Sequence, residues 1–156
     1  MEQTTNCAPI EHMTALNQTS DTLCAQIIEL ARSNPEVKLL WLYGSRANGT
    51  ACATSDYDFA VAFDSRLESP LERRLRPELL TMDWQRAAKA ADNVLSVVDI
   101  NLAPLPLALN IIGDDSKLLV NKDELRYIRE LNRIWGLWSD SQWQYDQQSI
   151  TERKNQ

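Results

Sequence analysis

Apolar positions along this chain follow two different periods, which predict alternating helices and strands. Residues 20–33, residues 66–92 and the region from Asn121 onward carry apolar side chains three or four positions apart, as amphipathic helices do. Shorter apolar runs at 39–43, 56–63 and 94–102 have the length and composition of strands. Pro77 predicts an interruption of the second helix, and weaker signals predict a short helix at 110–112 and an apolar stretch at 117–120.

The order of these elements predicts the fold class. Strand, turn, strand, helix and strand give an α/β (α+β) fold with a small mixed sheet flanked by helices. The pairing is mixed because the link from Tyr43 to Asp56 has room for only a brief helix. We expect residues 1–18 to be loosely ordered and residues 19–156 to form one domain, with a C-terminal helical segment from about residue 121.

The strand at 56–63 places two carboxylates side by side. Side chains alternate between the faces of a strand, so Asp56 and Asp58 share one face with two alanines. The aromatic and valine side chains on the other face predict the core side: Tyr57, Phe59, Val61 and Phe63. Adjacent carboxylates repel each other unless a cation lies between them, and Mg²⁺ binds one or two carboxylates together with substrate phosphates. A solvated acidic pair beside a turn is the simpler alternative.

Two further features favour a metal and phosphate site. Gly44 and Ser45 follow the first strand, where a glycine lets backbone amides approach a phosphate and the serine adds a hydroxyl. Asp99 stands in the third apolar run, and a carboxylate buried there requires a cation or a proton to abstract. The alternative for Asp99 is a strand-end side chain that faces water.

These residues resemble the signature of the DNA polymerase β superfamily of nucleotidyltransferases. That signature is Gly-Ser, ten residues, Asp-x-Asp and a third acid on a later strand, here Gly44, Ser45, Asp56, Asp58 and Asp99. The start Gly-Ser-Arg-Ala and the small size are similar to the minimal nucleotidyltransferase (MNT) antitoxins of HEPN/MNT toxin/antitoxin pairs. The resemblance spans residues 38–120. Asn48 departs from the basic residue that many such proteins carry, and Arg46 remains available for a phosphate contact.

The resemblance implies a function and a division of roles. An antitoxin of this kind transfers AMP from ATP to a tyrosine hydroxyl of a cognate HEPN ribonuclease toxin, in a Mg²⁺-dependent protein adenylylation, and forms a complex with it. Two Mg²⁺ ions would be held by the three aspartates, with Asp99 also beside the attacking hydroxyl as a general base. Gly44, Ser45 and Arg46 would contact the phosphates. The alternatives are an aminoglycoside-type small-molecule nucleotidyltransferase and a non-catalytic antitoxin that acts by sequestration.

Composition narrows the class of protein. The 156-residue chain is 44% hydrophobic and 24% charged, as globular domains are, and its formal net charge is −6. An acidic chain is a poor match to nucleic-acid backbones, so we expect neither direct nucleic-acid binding nor a template-using polymerase. The cysteines Cys7, Cys24 and Cys52 match no metal or redox spacing, and no secretory signal or long apolar span is present, which predicts a cytoplasmic protein without a membrane association. The single histidine, His12, is expected to be solvated.

The C-terminal segment is rich in aromatic residues in a polar setting. Trp135, Trp138 and Trp143 fall within nine residues, and Tyr145 follows. Trp135 is expected to pack on the protein's own sheet. For Trp143 and Tyr145, core packing and contact with the toxin partner are equal alternatives, because aromatic residues among polar ones are enriched at protein interfaces.

Overall fold

The computed structural model describes the backbone of residues 13–154 and the side chains of residues 22–150. His12 and Cys7 lie outside the described residues, as does the expected loose order of residues 1–12. Within the described range the elements follow in this order: α1 (Met13–Ser33), β1 (Val37–Tyr43), α2 (Ser45–Asn48), β2 (Tyr57–Phe63), α3 (Pro70–Ala87), β3 (Leu95–Asp99), α4 (Leu105–Ile112), β4 (Lys117–Asn121) and α5 (Glu124–Lys154).

The four described strands form one mixed sheet in the order β3-β2-β1-β4. β1 runs antiparallel to both β2 and β4, whereas β2 and β3 are parallel. The parallel pair is joined by α3, because a parallel connection must cross back over the sheet. The predicted α/β class, with a small mixed sheet flanked by helices, is therefore confirmed.

β2 is buried on both faces, which corrects the expectation of a single core side. Its aromatic face packs against α1 and α3 in a cluster that includes Ile27 and Trp84. Its alanine face packs against α4 and α5, through Ile111 and Ile134. The alternating pattern is misleading here because alanine is small enough to accommodate helices packed on that face. At the beginning of this face Asp56 is exposed and Asp58 is half-buried.

Several boundaries differ from the prediction. α1 begins at Met13 and not at Ser20, so residues 13–18 are helical, while the domain boundary at residue 18 remains a prediction. α3 begins at Pro70, where the Ser69 hydroxyl accepts a hydrogen bond from the Glu72 amide at 3.3 Å. The predicted interruption at Pro77 is wrong, because α3 continues through this buried proline to Ala87. Packing of the ring in the core offsets the one backbone hydrogen bond that a proline removes.

The C-terminal helix α5 corrects one further expectation. Ile134 is fully buried and occupies the core position on this turn, while Trp135 is 51% exposed. Trp135 instead packs edge-on against Trp138, with the ring centroids 5.9 Å apart. The prediction that Trp135 packs on the sheet is therefore wrong.

None of the described helices is both long enough and apolar enough to cross a lipid bilayer.

Burial of both faces of β2 predicts that Ala60 tolerates no larger side chain. Ala60 is fully buried and pairs with Trp41 on β1, so Ala60→Leu should lower the free energy of unfolding by about 1–3 kcal/mol through overpacking. Urea denaturation measures this change. The matched control is Ala53→Leu in the exposed loop before β2, where we expect a change within about 0.5 kcal/mol. Equal stability of the two variants would contradict a second core.

Candidate functional site

The site is built around a turn that only glycine adopts without strain. β1 ends at Tyr43, and Gly44 follows with φ 73° and ψ −158° as the residue that precedes α2. The Gly44 carbonyl accepts the amides of Ala47 and Asn48 at 3.0 and 3.1 Å, which closes the short helix. A Cβ atom at Gly44 would lie 2.6 Å from Oδ2 of Asp58. The predicted phosphate-binding turn and the second aspartate are therefore direct neighbours.

Strand pairing produces this proximity. Tyr43 and Asp58 are Cα partners in the antiparallel β1–β2 ladder, so the end of one strand lies beside the start of the other. Asp56 immediately precedes β2 and is exposed, while Asp58 is half-buried as its second residue. The structure thus places Gly44 beside Asp58, with Asp56 two residues before it, and the predicted roles of these residues at a metal and phosphate site stay predictions.

The electrostatics of the pair suit a bound cation. Burial raises the pKa of Asp58, and the negative charge of Asp56 raises it further. Among the described residues, neither carboxylate has an ion-pair partner. The pKa of the neighbouring Tyr43 is also raised, to about 12, mainly by burial and further by the negative charge of Asp58. Two unneutralised carboxylates beside a glycine turn are the oxygen ligands that Mg²⁺ takes together with waters and phosphates.

The loop between α2 and β2 is fixed by Arg46. Its Nε and Nη2 atoms donate to the Ser55 carbonyl at 3.1 and 2.8 Å, and its guanidinium carbon lies 4.5 Å from the centre of the Tyr57 ring. The Ser55 hydroxyl in turn accepts the Cys52 amide at 2.9 Å. Arg46 therefore holds the backbone that precedes the aspartates, and its predicted phosphate contact stays a prediction. The sequence did not predict this positioning role, because the partner of Arg46 is a backbone carbonyl, and every residue type has one.

Ser45 and Asn48 are the first and last residues of α2. Ser45 is the half-buried first residue of α2, and its hydroxyl makes no hydrogen bond within the described part of the chain. Asn48 accepts hydrogen bonds from the amide and hydroxyl of Thr50 at 3.0 and 2.6 Å. The asparagine that stands here in place of a basic residue thus stabilises the turn that leads from α2 into the loop.

Asp99 is not brought to the pair. It ends β3 and pairs with Val61, three residues beyond Asp58 along β2, or about 10 Å. The β3 residue that pairs with Asp58 is Ser96. In the part of the chain that the structure describes, no three His, Cys, Asp or Glu side chains lie close enough to hold a metal ion. The position of Asp99 therefore gives its predicted role as third metal ligand no support.

The surroundings of Asp99 are those of a different pocket. Its carboxylate accepts the Asn101 amide at 2.9 Å. Burial raises the pKa of Asp99 and is the largest effect, while that hydrogen bond and the charge of Arg76 act in the opposite direction. Arg126 and Glu130 also act on its charge, and Asp99 lines a pocket together with these residues and Arg76.

Comparisons with known proteins agree with this geometry. The family model described as "Polymerase beta, Nucleotidyltransferase" matches residues 25–125. Protein adenylyltransferase MntA of Shewanella oneidensis is 28% identical over 120 residues, which cover 75% of this chain and 81% of the relative.

Solved structures show the same fold. A crystal structure of a toxin-antitoxin with AMP-PNP has a TM-score of 0.60 at 22% identity and covers 85% of this chain and 98% of that one. A structure of the tri-AMPylated Shewanella oneidensis HEPN toxin in complex with MNT antitoxin has a TM-score of 0.55 at 17% identity, covering 88% and 99%. The expected similarity to MNT antitoxins is confirmed, and the chain belongs to the polymerase beta nucleotidyltransferase family.

Proposed function

We propose that this protein is an antitoxin that transfers AMP from ATP to a tyrosine hydroxyl of a cognate HEPN ribonuclease toxin. The observation that carries the proposal is the contact of the Gly44 turn with the Asp58 carboxylate, beside Asp56. This arrangement joins a place for phosphates to a place for a cation. Similarity to an adenylyltransferase, and to an antitoxin solved with an AMPylated toxin, supports the choice of reaction and acceptor.

Each part of the site has a role in this reaction. Asp56 and Asp58 would hold Mg²⁺, since each offers carboxylate oxygens and neither is neutralised by another described residue. Magnesium bound there would supply positive charge to the phosphate oxygens of ATP. The backbone amides of Ser45 and Arg46 have no partner among the described residues and would donate to those oxygens, together with the Ser45 hydroxyl.

The transfer itself is a substitution at the α-phosphorus. The tyrosine oxygen of the toxin forms a bond to that phosphorus, the bond to the bridging oxygen of the β-phosphate breaks, and pyrophosphate leaves. The tyrosine proton is released in the same exchange. Asp99 has no part in this step, because strand register keeps it about 10 Å along the sheet from Asp58.

Sequestration is the second candidate, and one observation favours it. Ser96, which pairs with Asp58 across β2 and β3, has no carboxylate to add to the acidic pair. A site with two acids holds a metal less tightly than one with three, so the protein would then neutralise its partner by binding alone. Adenylylation and complex formation are also compatible with each other.

We further propose that α5 provides the docking surface for the toxin. Beyond Ile134 every described side chain of this helix is exposed except the half-buried Ser149. Trp143 and Tyr145 are 65% and 69% exposed, and Trp138, Leu137 and Ile150 are also large and exposed. Large aromatic side chains with few contacts of their own are the anchors that protein interfaces use. This favours partner contact over core packing for Trp143 and Tyr145.

The catalytic proposal predicts that Asp58→Asn abolishes AMP transfer without harming the fold. Intact-mass spectrometry of the toxin, after incubation with ATP and Mg²⁺, should show whole AMP units with wild type and none with Asp56→Asn or Asp58→Asn.

The stability of Asp58→Asn follows from the raised pKa of Asp58. Because the folded state binds the proton more tightly than the unfolded state does, ionisation of Asp58 at neutral pH lowers the free energy of unfolding. Metal-free Asp58→Asn should therefore melt no lower than wild type at neutral pH.

The control for that experiment is Asp114→Asn in the exposed turn after α4, which should transfer AMP as wild type does. Transfer by Asp58→Asn at the wild-type rate would contradict the proposed site. A stable complex in which even wild type adds no AMP would establish sequestration instead.

The glycine turn gives a second prediction, tested by a matched pair of variants. Gly44 and Gly49 both have positive φ, at 73° and 81°, but only Gly44 has Asp58 where a Cβ would stand. Gly49→Ala should cost about 1–2 kcal/mol of backbone strain. Gly44→Ala should lower the free energy of unfolding, measured by urea denaturation, by more than Gly49→Ala does, and it should abolish AMP transfer. In a double-mutant cycle, Gly44→Ala should be less destabilising when Asp58 is replaced by alanine, because the clash with the carboxylate is then absent. An equal cost for the two glycines would contradict the contact with Asp58.

The docking proposal predicts that Trp143→Ala combined with Tyr145→Ala weakens toxin binding at least tenfold, or about 1.4 kcal/mol. Calorimetric titration of the toxin measures this affinity. Leu71→Ala on α3 removes an equally exposed apolar side chain elsewhere and should leave the affinity unchanged. An unchanged affinity in the double variant, at unchanged helix content by circular dichroism, would exclude this part of α5 as the docking surface.

A further inference from the structure

A second pocket lies at the end of the sheet opposite the Gly44 turn. Phe63, the last residue of β2, and Asp99, the last residue of β3, both line it, together with side chains of α3 and α5. Its volume is about 340 Å³. Asp99 pairs with a residue three positions beyond Asp58 along β2, and Phe63 is five positions beyond it, so the pocket begins about 10 Å from Asp58 and extends to about 17 Å along the strand. It is therefore separate from the site proposed for ATP.

The floor of this pocket is a buried charge network on α5. Glu130 is only 4% exposed, and its two carboxylate oxygens meet Nη2 of Arg126 at 3.0 Å and Nε of Arg133 at 2.8 Å. The side-chain amide of Asn101 also donates to the Glu130 carboxylate, with Nδ2 at 2.8 Å from Oε1. Nη2 of Arg133 donates to the Ile100 carbonyl at 3.1 Å. A buried carboxylate is stable only with such partners. The network fixes both arginines in place before any ligand binds.

The pocket carries an excess of positive charge in an acidic chain. Five arginines line it against two carboxylates, Asp99 and Glu130, although the whole chain has a net charge of −6. The arginines are Arg66, Arg73, Arg76, Arg126 and Arg133. Like charges placed together in this way repel one another unless an anion joins them.

Three of these arginines have unused donors. Among the described residues, the guanidinium groups of Arg66 and Arg73 make no hydrogen bond or ion pair. The Nε atom of Arg126 is buried and has no hydrogen-bond partner within the described part of the chain. Arg76 differs, because it contacts Glu36 at 3.3 Å and lies 3.9 Å from the centre of the Phe63 ring. The free donors that a ligand can reach are therefore those of Arg66 and Arg73, while Arg76 supports the wall of the pocket.

We propose that this pocket binds a small phosphate monoester, with Arg66 and Arg73 contacting the phosphoryl oxygens and Arg126 contributing positive charge from the α5 side. Guanidinium groups present paired N–H donors that match phosphoryl oxygens, and a pocket of this size suits a small organic ligand. Leu67 and Leu102 supply an apolar wall for the organic part of the molecule. A nucleic-acid backbone would instead need an extended positive face, and this pocket is a confined one.

The test titrates phenyl phosphate and inorganic phosphate into the full-length protein in the presence of EDTA, which removes metal from the acidic pair. Calorimetry gives the affinity, and the Nε–Hε resonance of Arg126 in a ¹H–¹⁵N spectrum reports the location. We expect phenyl phosphate to bind wild type and to shift that resonance. Arg66→Gln combined with Arg73→Gln should weaken binding at least tenfold.

Two controls make the result specific. Arg74→Gln removes an exposed arginine of α3 that does not line the pocket, and Asp58→Asn alters the ATP site, so both should bind phenyl phosphate as wild type does. Because Arg66 is exposed and makes no described contact, Arg66→Gln alone keeps the test valid if the double variant fails to fold, and it should weaken binding several-fold. Failure of wild type to bind, or unchanged affinity in the arginine variants, overturns the proposal. Inorganic phosphate binding as tightly as phenyl phosphate overturns the assignment of a monoester.

Discussion

The close approach of the Gly44 backbone to the Asp58 carboxylate is the constraint on which the rest of this site depends. Antiparallel pairing of β1 with β2 sets it, since Tyr43 and Asp58 are partners in the ladder. Any side chain at position 44 would meet Oδ2 of Asp58, and the backbone there has a conformation that other residues avoid. The sheet therefore provides, from two short segments, a negatively charged recess next to unpaired helix amides.

Burial of both sheet faces gives this recess its rigidity. Aromatic side chains of β2 pack against α1 and α3, and its alanines pack against α4 and α5, so the strand has no freedom to shift. Arg46 adds a local restraint by binding the Ser55 carbonyl and covering the Tyr57 ring. The cost of this arrangement is the burial of the Asp58 carboxylate and its repulsion by Asp56, which together raise the pKa of Asp58. A site held so firmly and left electrostatically unfavourable is suited to accept a cation.

Local patterns in the sequence were sufficient for the fold class, the Gly-Ser turn and the acidic pair. These features depend on neighbours along the chain: a glycine after a strand and carboxylates two residues apart. The position of Asp99 could not be read in this way, because its distance from Asp58 depends on the register between two parallel strands joined by α3. The course of α3 through Pro77 likewise depends on packing around the proline ring. The arginines of the second pocket come from segments distant in sequence, and only the folded chain brings them together.

The exposure of α5 beyond Ile134 has a consequence for the energetics of complex formation. The segment from residue 135 to residue 154 extends about 30 Å and contributes no described buried side chain, so local propensity and not packing maintains its helix. Such a segment frays and reforms far more often than the sheet does. A partner that bound along this segment would have to suppress that motion, so part of the binding energy would be consumed in ordering the helix and the complex would be weaker at equilibrium.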